Sequence, residues 1–437
     1  MRPDKFARDR HGERGVTIIL VAIAMITLLA MAALAIDVVT LYVARTEAQR
    51  VAESAALAGA KMFVTSGYTS GQLGAIGGAG AAVCGGATAP ANVQATEAAM
   101  QNLIGGLPPT TVNVNCDFTV PENPKLTVQI QRTGLPTFFS KIWGGGAANS
   151  VSATATAEAF NSSGSAGSAN VPIQVASVKP FLIANCDPTV VPPPACPPYF
   201  VDATYVAANQ ANYLNGTLFT FAPGGSGIAP AAAQYWVADM PTQATSCPST
   251  AGSCLNAGGG GIYDNIACAN PAPLACGTAL TLTIDQFTGS AAVNTEVSGA
   301  TQCLTHATSA GLGNGQDTFT SGGIGAPVTI SPGTANPNPT FASQAGAINI
   351  SRSDSVITVP IFTWVSNPCP FGAGVACAGA TATVNIVGFL QLGIQSVDAA
   401  GTIQAVIMNV ASCNPGAAAN PVSGGGVSPV PVRLIHP

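Results

Sequence analysis

The chain has 437 residues, carries a formal net charge of −5 at pH 7, and only 8% of its residues are charged. No basic patch or stripe occurs beyond the first residues, which argues against nucleic acid as a partner. Sparse charge with 49 Gly and 33 Pro is typical of an exported, β-rich protein, and the length predicts two or three domains.

An apolar run at residues 15–36 is the first predicted element. It contains no charge and no proline, and as a helix it is roughly 33 Å long, against about 30 Å for the hydrocarbon core of a bilayer. The run therefore predicts a transmembrane helix. The alternative is a cleaved signal peptide, whose apolar core is about 7–15 residues. Helical sequence continues past residue 36, which favours an uncleaved anchor.

The charges that flank the run predict its orientation. Only Arg45 and Arg50 follow it closely, whereas its N-terminal side carries five cations, namely Arg2, Lys5, Arg8, Arg10 and Arg14. By the positive-inside rule, residues 1–14 form a cytoplasmic tail and the remainder is exported. We therefore expect a single-pass protein of the bacterial inner membrane, with its C-terminal bulk periplasmic or extracellular.

Residues 37–63 stay helical by composition. Ala48, Ala52, Ala55 and Gly59 recur at i, i+4, i+7 and i+11, which places a stripe of small residues on one face. Small side chains let another helix approach closely. Two interpretations remain open: a plain extension of the anchor, or a face that packs against partner helices.

This N-terminal stretch resembles the TadE/TadG-like Flp pilus-assembly family. The matching positions are Gly15 after an arginine, Asp37, Tyr42, Gln49 and the closing segment 53–60, ESAALAGA. Glu53 replaces the usual aspartate. Leu20 occupies the position at which peptidase-processed members carry glutamate, so the chain is more similar to the large, anchored TadG-type branch.

The resemblance implies a non-enzymatic protein that needs no cofactor. Its expected partners are the membrane and pilus subunits or other envelope assembly proteins. It also implies that the anchor and packing helix include Gly15, Asp37, Tyr42, Gln49, Ala52, Ala55 and Gly59.

Residues 64–90 are Gly/Ala-rich and predict a linker. Residues 91–160 then predict a small α+β domain, to whose end the resemblance extends. Its predicted helices span 92–104 and 136–143, and its predicted strands span 110–118, 126–131 and 151–160.

After a Ser/Gly linker at 161–170, residues 171–413 predict a β-rich domain with long loops. The last two strands predict a hairpin, and 414–437 predicts a flexible tail. The expected strands are 171–178, 200–206, 217–221, 278–284, 356–364, 382–392 and 402–410.

All 12 cysteines lie beyond the anchor, which predicts disulfides. Four of them, Cys84, Cys116, Cys303 and Cys413, suit longer links, such as Cys84–Cys116 and Cys303–Cys413, although spacing does not fix connectivity. Zinc knuckles of the C-x₂₋₄-C type are absent from the sequence. The other eight form close pairs that would staple short loops: Cys186/Cys196, Cys247/Cys254, Cys268/Cys276 and Cys369/Cys377.

Candidate chemistry is sparse. His306 is the one histidine placed to serve an exported catalytic site, and no nucleophile motif accompanies it. The loop at Asp317 resembles a single calcium-binding nonapeptide, but such sites form in stacked repeats, which leaves a surface turn as the alternative. No catalytic, cofactor or metal site is predicted.

The resulting fold class is a membrane-anchored α+β protein. It comprises a single N-terminal transmembrane helix extended by an amphipathic helix, a small α+β domain, and a β-rich disulfide-stapled domain. The alternative function is a surface-exposed adhesin, a carbohydrate-binding module or a minor pilin-like subunit that shares only the anchor. A secreted hydrolase is the third possibility, and no constellation of residues supports it.

Overall fold

The computed structural model describes the chain in segments. These are residues 13–70, 78–120, 123–135, 149–160, 173–175, 177–185, 218–224, 234–237, 240, 261–270, 273–275, 279–283, 291–321, 328–350, 352–366, 381–412, 422–423 and 430–435. The chain divides into two compact units. Unit 1 comprises Met1–Ala56, Ala95–Val114 and Thr127–Ala155, and unit 2 comprises Leu57–Gln94, Asn115–Leu126 and Thr156–Pro437.

One long helix, α1 (Glu13–Thr65), contains both the apolar run and the segment that follows it. It has no proline that would break its hydrogen bonding. A short 3₁₀ helix (Tyr68–Ser70) and two further helices, α2 (Ala79–Cys84) and α3 (Pro90–Met100), follow. The stretch predicted to be a linker therefore contains the end of α1 and short helical segments.

A four-stranded sheet follows α3 in the chain. Its strands are β1 (Thr111–Asp117), β2 (Lys125–Leu135), β3 (Asn149–Ala159) and β16 (Val432–Ile435), in that spatial order. The first three correspond to the strands predicted at 110–118, 126–131 and 151–160. The helix predicted at 136–143 lies outside the described residues.

Strand β16 falls within the tail that the sequence predicts to be flexible. It pairs antiparallel with β3, with Val432 opposite Ala159. Arg433 forms an ion pair with the buried Glu158, and its guanidinium lies 4.5 Å from the centre of the Phe160 ring. This part of the tail is therefore an ordered strand.

The remaining elements form the strand-rich region. The strands are β4 (Ile173–Val175), β5 (Phe181–Ala184), β6 (Leu218–Pro223), β7 (Gln234–Val237), β8 (Leu274–Ala275), β9 (Ala279–Thr283), β10 (Thr318–Ser321), β11 (Val328–Ser331), β12 (Val356–Ser366), β13 (Thr381–Val397), β14 (Ile403–Ser412) and β15 (Val422–Ser423). The helices are α4 (Gly261–Ala267), α5 (Ala291–Leu304) and α6 (Pro339–Ala342).

Seven of these strands form one sheet, in the order β12-β5-β7-β6-β14-β13-β9. Strand β12 also pairs with β13, so six strands close into a ring and β9 extends β13. Closure leaves no free edge between these six strands. The predicted hairpin is present as β13–β14, with Val397 opposite Ile403.

The turn of that hairpin is held by one carboxylate. Asp398 Oδ1 accepts hydrogen bonds from the backbone N–H groups of Ala400 and Thr402, at 2.9 and 2.7 Å. Gly401 has φ +82°, a conformation that favours glycine. The strands predicted at 217–221, 278–284 and 356–364 also occur, the strand described within 171–178 is β4, and 200–206 lies outside the described residues.

Alternate residues of the closed sheet form the main core. Ile357, Val359 and Ile361 of β12 belong to a buried cluster that also includes side chains of α4 and α5, such as Ile266 and Val297. A second cluster contains Val406 and Met408 of β14 together with the β10–β11 hairpin. Because side chains alternate along a strand, β14 supplies both clusters.

Candidate functional site

The first half of α1 exposes its large apolar side chains. From Val16 to Val43 these side chains, apart from the half-buried Leu41, are 48–73% exposed, although water would disfavour such a surface. Among the described residues, α1 is the helix long and apolar enough to cross a membrane. It is consistent with a single-pass membrane anchor.

The second half of α1 buries small side chains. Ala48, Ala52, Ala55 and Ala60 are fully buried, and Gly59 between them is half-buried. The chain's own residues therefore cover the small-residue stripe. This burial favours an intramolecular packing face, and the interpretation of the stripe as a face for partner helices stays a prediction.

Two polar contacts fix this half of α1 within unit 1. Glu47 Oε2 accepts a hydrogen bond of 2.7 Å from the backbone N–H of Gly105. Gln49 Nε2 donates to Glu53 Oε1 at 2.9 Å, and lies 3.5 Å from the carbonyl oxygen of Thr154 on β3. Gln49 therefore joins the helix to the sheet of this unit.

Asp37 and Tyr42 lie near the junction of the two halves. Asp37 is only 4% exposed and makes a polar interaction within the chain, whereas Tyr42 is 73% exposed. Gly15 lies in the first turn of α1. The predicted anchor residues are thus spread over the whole length of the helix rather than gathered in one pocket.

The C-terminal end of α1 is embedded in unit 2. Phe63, Tyr68 and Phe118 form an aromatic cluster with ring centres 4.9–6.2 Å apart. Asn409 of β14, fully buried, donates from Nδ2 to Thr69 Oγ1 at 2.9 Å. This contact joins the turn after α1 directly to the closed sheet.

The structure confirms the predicted disulfide between Cys84 and Cys116, whose Cα atoms are 6.4 Å apart. Cys268 and Cys303 each take part in a disulfide as well, and no described cysteine is free. Cys276, the predicted partner of Cys268, lies outside the described residues. So do Cys186, Cys196, Cys247, Cys254, Cys369, Cys377 and Cys413, and those pairings stay predictions.

Asp317 is a buried structural carboxylate. Its oxygens accept hydrogen bonds from Gly333 N–H at 2.8 Å, from Asn336 Nδ2 at 2.9 and 3.1 Å, and from Ser353 Oγ at 2.6 Å. These donors hold three loop segments together. The arrangement favours the interpretation of the loop as a turn, because protein donors occupy the positions around the carboxylate.

His306 pairs with Asp354, with 3.0 Å between Nε2 and Oδ2. His306 has φ +58° and ends α5 with backbone bonds from His306 N–H to Cys303 and from Ala307 N–H to Gln302, the pattern of a Schellman cap. The hydrogen bond from His306 lowers the pKa of Asp354. In the described part of the chain, no serine or cysteine side chain is seen to hydrogen-bond to this imidazole.

Lys179 is a buried cation. Its Nζ donates to the carbonyl oxygen of Cys268 at 2.6 Å, and burial lowers the pKa of Lys179 to about 8. The described residues contain no group of three or more His, Cys, Asp or Glu side chains able to hold a metal ion.

Residues 15–62 match a family described as putative Flp pilus-assembly TadE/G-like. The match confirms the resemblance over this TadE/G-like segment. It contains both halves of α1, including Gly15, Asp37, Tyr42, Gln49 and Gly59. Neither curated proteins nor solved structures give a match to the chain.

Sequence reasoning missed the contacts outside the TadE/G-like segment. Thr69–Asn409 and Glu158–Arg433 join residues hundreds of positions apart, and each residue is ordinary in its local sequence. A hydrophobic or helical period reports which face is buried, but not which distant side chain meets it. No local signal pointed to these pairs.

Proposed function

We propose that this protein is a TadG-like component of Flp-type pilus assembly, anchored in the inner membrane by α1. The observation that carries this proposal is that the family match covers a single helix. The first half of this helix is apolar and exposed, and its second half is packed into the protein. A family match to such a segment supports involvement in Flp pilus assembly.

The proposed orientation has the N-terminus in the cytoplasm. Five cations precede the apolar run, and the positive-inside rule keeps that side cytoplasmic. The disulfide between Cys84 and Cys116 supports export of the chain beyond α1, because disulfides form and persist in oxidising compartments such as the periplasm.

The proposed mode of action is protein–protein contact in the envelope, without catalysis. The anchor holds the exported domains close to the site of pilus assembly, where they bind pilus subunits or other assembly proteins. The His306–Asp354 pair then serves as a cap and ion pair rather than as part of a catalytic site.

The test combines a deletion strain with topology mapping. Full-length protein with tags after Met1 and before Pro437 is expressed in the deletion strain, and pili are counted by electron microscopy. Protease is then applied to intact cells and to spheroplasts. We expect pili to be lost on deletion and restored by the tagged protein, with the C-terminal tag digested only in spheroplasts.

The other outcomes contradict the proposal in different ways. Unchanged piliation after deletion argues against an assembly role. A C-terminal tag that is digested in intact cells supports a surface-exposed adhesin. A shortened product in sheared filaments shows that the helix is processed and supports a minor pilin-like subunit.

A further inference from the structure

The exposed apolar face of α1 continues beyond the charge at which the sequence places its end. Asp37 closes the apolar run, yet Val38, Val39, Tyr42 and Val43 are 56, 60, 73 and 48% exposed. The surface that needs an apolar environment is therefore longer than residues 15–36.

These four residues share one side of the helix. At about 100° per residue, positions i, i+1, i+4 and i+5 cluster on one face, and Asp37 and Ala44 lie on the opposite face. Asp37 and Ala44 are 4 and 3% exposed, so that opposite face is covered by the chain. Because Asp37 is buried on that opposite face, it does not interrupt the exposed face.

The face continues without interruption from the membrane-spanning part of α1. Leu28 and Met31, on the same side, are 66 and 70% exposed. From Val16 to Val43 the helix rises about 42 Å, compared with about 30 Å for the hydrocarbon core and about 40–45 Å with the interfacial layers. Thr46 and Arg50, both exposed, are the next residues on this side.

The chemistry of the face suits lipid better than another helix. Helix contacts inside membranes are enriched in small residues that allow close approach, and the small residues of this segment lie on the covered side. The exposed side carries three valines and a tyrosine. Tyrosine is enriched at the membrane–water interface, where its ring meets apolar chains and its hydroxyl meets water.

We propose that Val38, Val39, Tyr42 and Val43 form a lipid-contacting collar that inserts into the interfacial layer of the outer leaflet. The collar brings unit 1 against the membrane surface and places Arg50 at the level of the phosphate groups. This inference rests on the proposed function for its anchor and orientation, and extends it by naming phospholipid as the ligand of this face.

The test measures the depth of position 42. Full-length protein carrying Tyr42→Trp is reconstituted in vesicles of phosphatidylethanolamine and phosphatidylglycerol, with bromine atoms near either the headgroup end or the tail end of the acyl chains. Arg50→Trp, two turns further on the same side, is the matched control. The signal of the native Trp143, Trp236 and Trp364 is subtracted using the parent protein.

We expect the tryptophan introduced at position 42 to be quenched several-fold more than the one introduced at position 50, and more by bromine near the headgroup end. Equal quenching at the two positions overturns the proposal, because the face then lies in water or against protein. Alkaline carbonate extraction distinguishes failure of the collar from failure of the anchor. A protein that stays in the membrane without quenching at position 42 contradicts only the collar, whereas a released protein contradicts the anchor as well.

A benzophenone amino acid at Val39 identifies the occupant. A lipid adduct supports the collar. A cross-linked dimer, or an adduct to another protein, overturns it and assigns the face to a helix partner.

Discussion

The two halves of α1 differ in the exposure of their apolar side chains. In the first half, leucine, isoleucine, valine and methionine are exposed, and in the second half both alanines and larger side chains such as Phe63 are buried. In water a helix buries its large apolar side chains, since burial is favourable in proportion to apolar area. The contrast is consistent with lipid as the solvent of the first half, whereas the second half is covered by protein that approaches its small side chains closely.

The largest effect that sharpens this comparison is expected from enlarging the buried alanines. Ala52→Leu with Ala55→Leu adds volume where both side chains are fully buried, so each change should destabilise unit 1 by about 1–3 kcal/mol. Urea denaturation of the detergent-solubilised full-length protein measures the loss. The matched control is Leu28→Ala with Leu29→Ala on the exposed half, for which the midpoint should not move.

Equal stability of the alanine variant and the wild type would contradict the assignment of the stripe to an intramolecular core. If the variant is stable but pili are lost, the stripe is instead a face for partner proteins.

The buried cation Lys179 contrasts with the apolar run at residues 15–36, which carries no charge. Burial lowers the pKa of Lys179 to about 8, so the unfolded chain holds its proton to higher pH than the folded chain. Stability should therefore rise with pH between about 8 and 10.5, by on the order of 3 kcal/mol in total. Lys179→Met should remove this rise in stability. The measurement is the urea midpoint of the wild type and of the variant at about pH 7.5 and 9.5, on either side of the lowered pKa.

A wild-type midpoint that falls over this pH interval would contradict the burial of a charged Lys179. As a control, free thiols are assayed in both proteins at these pH values, and their absence shows that the disulfides stay intact.

The junction between α1 and the closed sheet should show energetic coupling. Thr69→Val leaves Asn409 Nδ2 without its 2.9 Å acceptor in a fully buried position, which should cost about 1–3 kcal/mol. Asn409→Leu should cost more, since the backbone N–H of Val410 also loses the acceptor Asn409 Oδ1. A double-mutant cycle should show that the two changes are less than additive. Full additivity would show that the contact contributes nothing.

The smallest effect is expected for the polar contact at the start of the buried half. Glu47→Ala removes the acceptor for Gly105 N–H and should destabilise unit 1 by roughly 1 kcal/mol, since the site is partly exposed. Arg50→Ala, an exposed neighbour, is the control. If Arg50→Ala destabilises the protein and Glu47→Ala does not, the contact between Glu47 and Gly105 does not stabilise unit 1.

The elements with a strong local period were predictable. The apolar run, the helix after it and the β13–β14 hairpin each show their pattern within a short window, and Cys84–Cys116 came from pairing the cysteines left over by the close pairs. Helices α4 and α5 were missed. They are rich in Ala, Gly and polar residues, and their stability comes from packing against the closed sheet.

The candidate site was predicted in its positions but not in its environment. Ala52 and Ala55 were identified as a packing face, yet whether a second chain or the same chain covers them depends on residues far away in the sequence. Likewise Asp37 marked the end of the span by its charge, but only the structure shows that it is buried and that the opposite face stays apolar to Val43.

The most direct measurement of the central claim is photo-cross-linking along α1 in native membranes. A benzophenone amino acid is placed at Leu28, which is 66% exposed, and at Gln49, which contacts Thr154 of the sheet. The account predicts lipid adducts at position 28 and adducts within the same chain at position 49. Adducts at position 28 only to protein, with no lipid, would contradict the assignment of the first half of α1 to the bilayer.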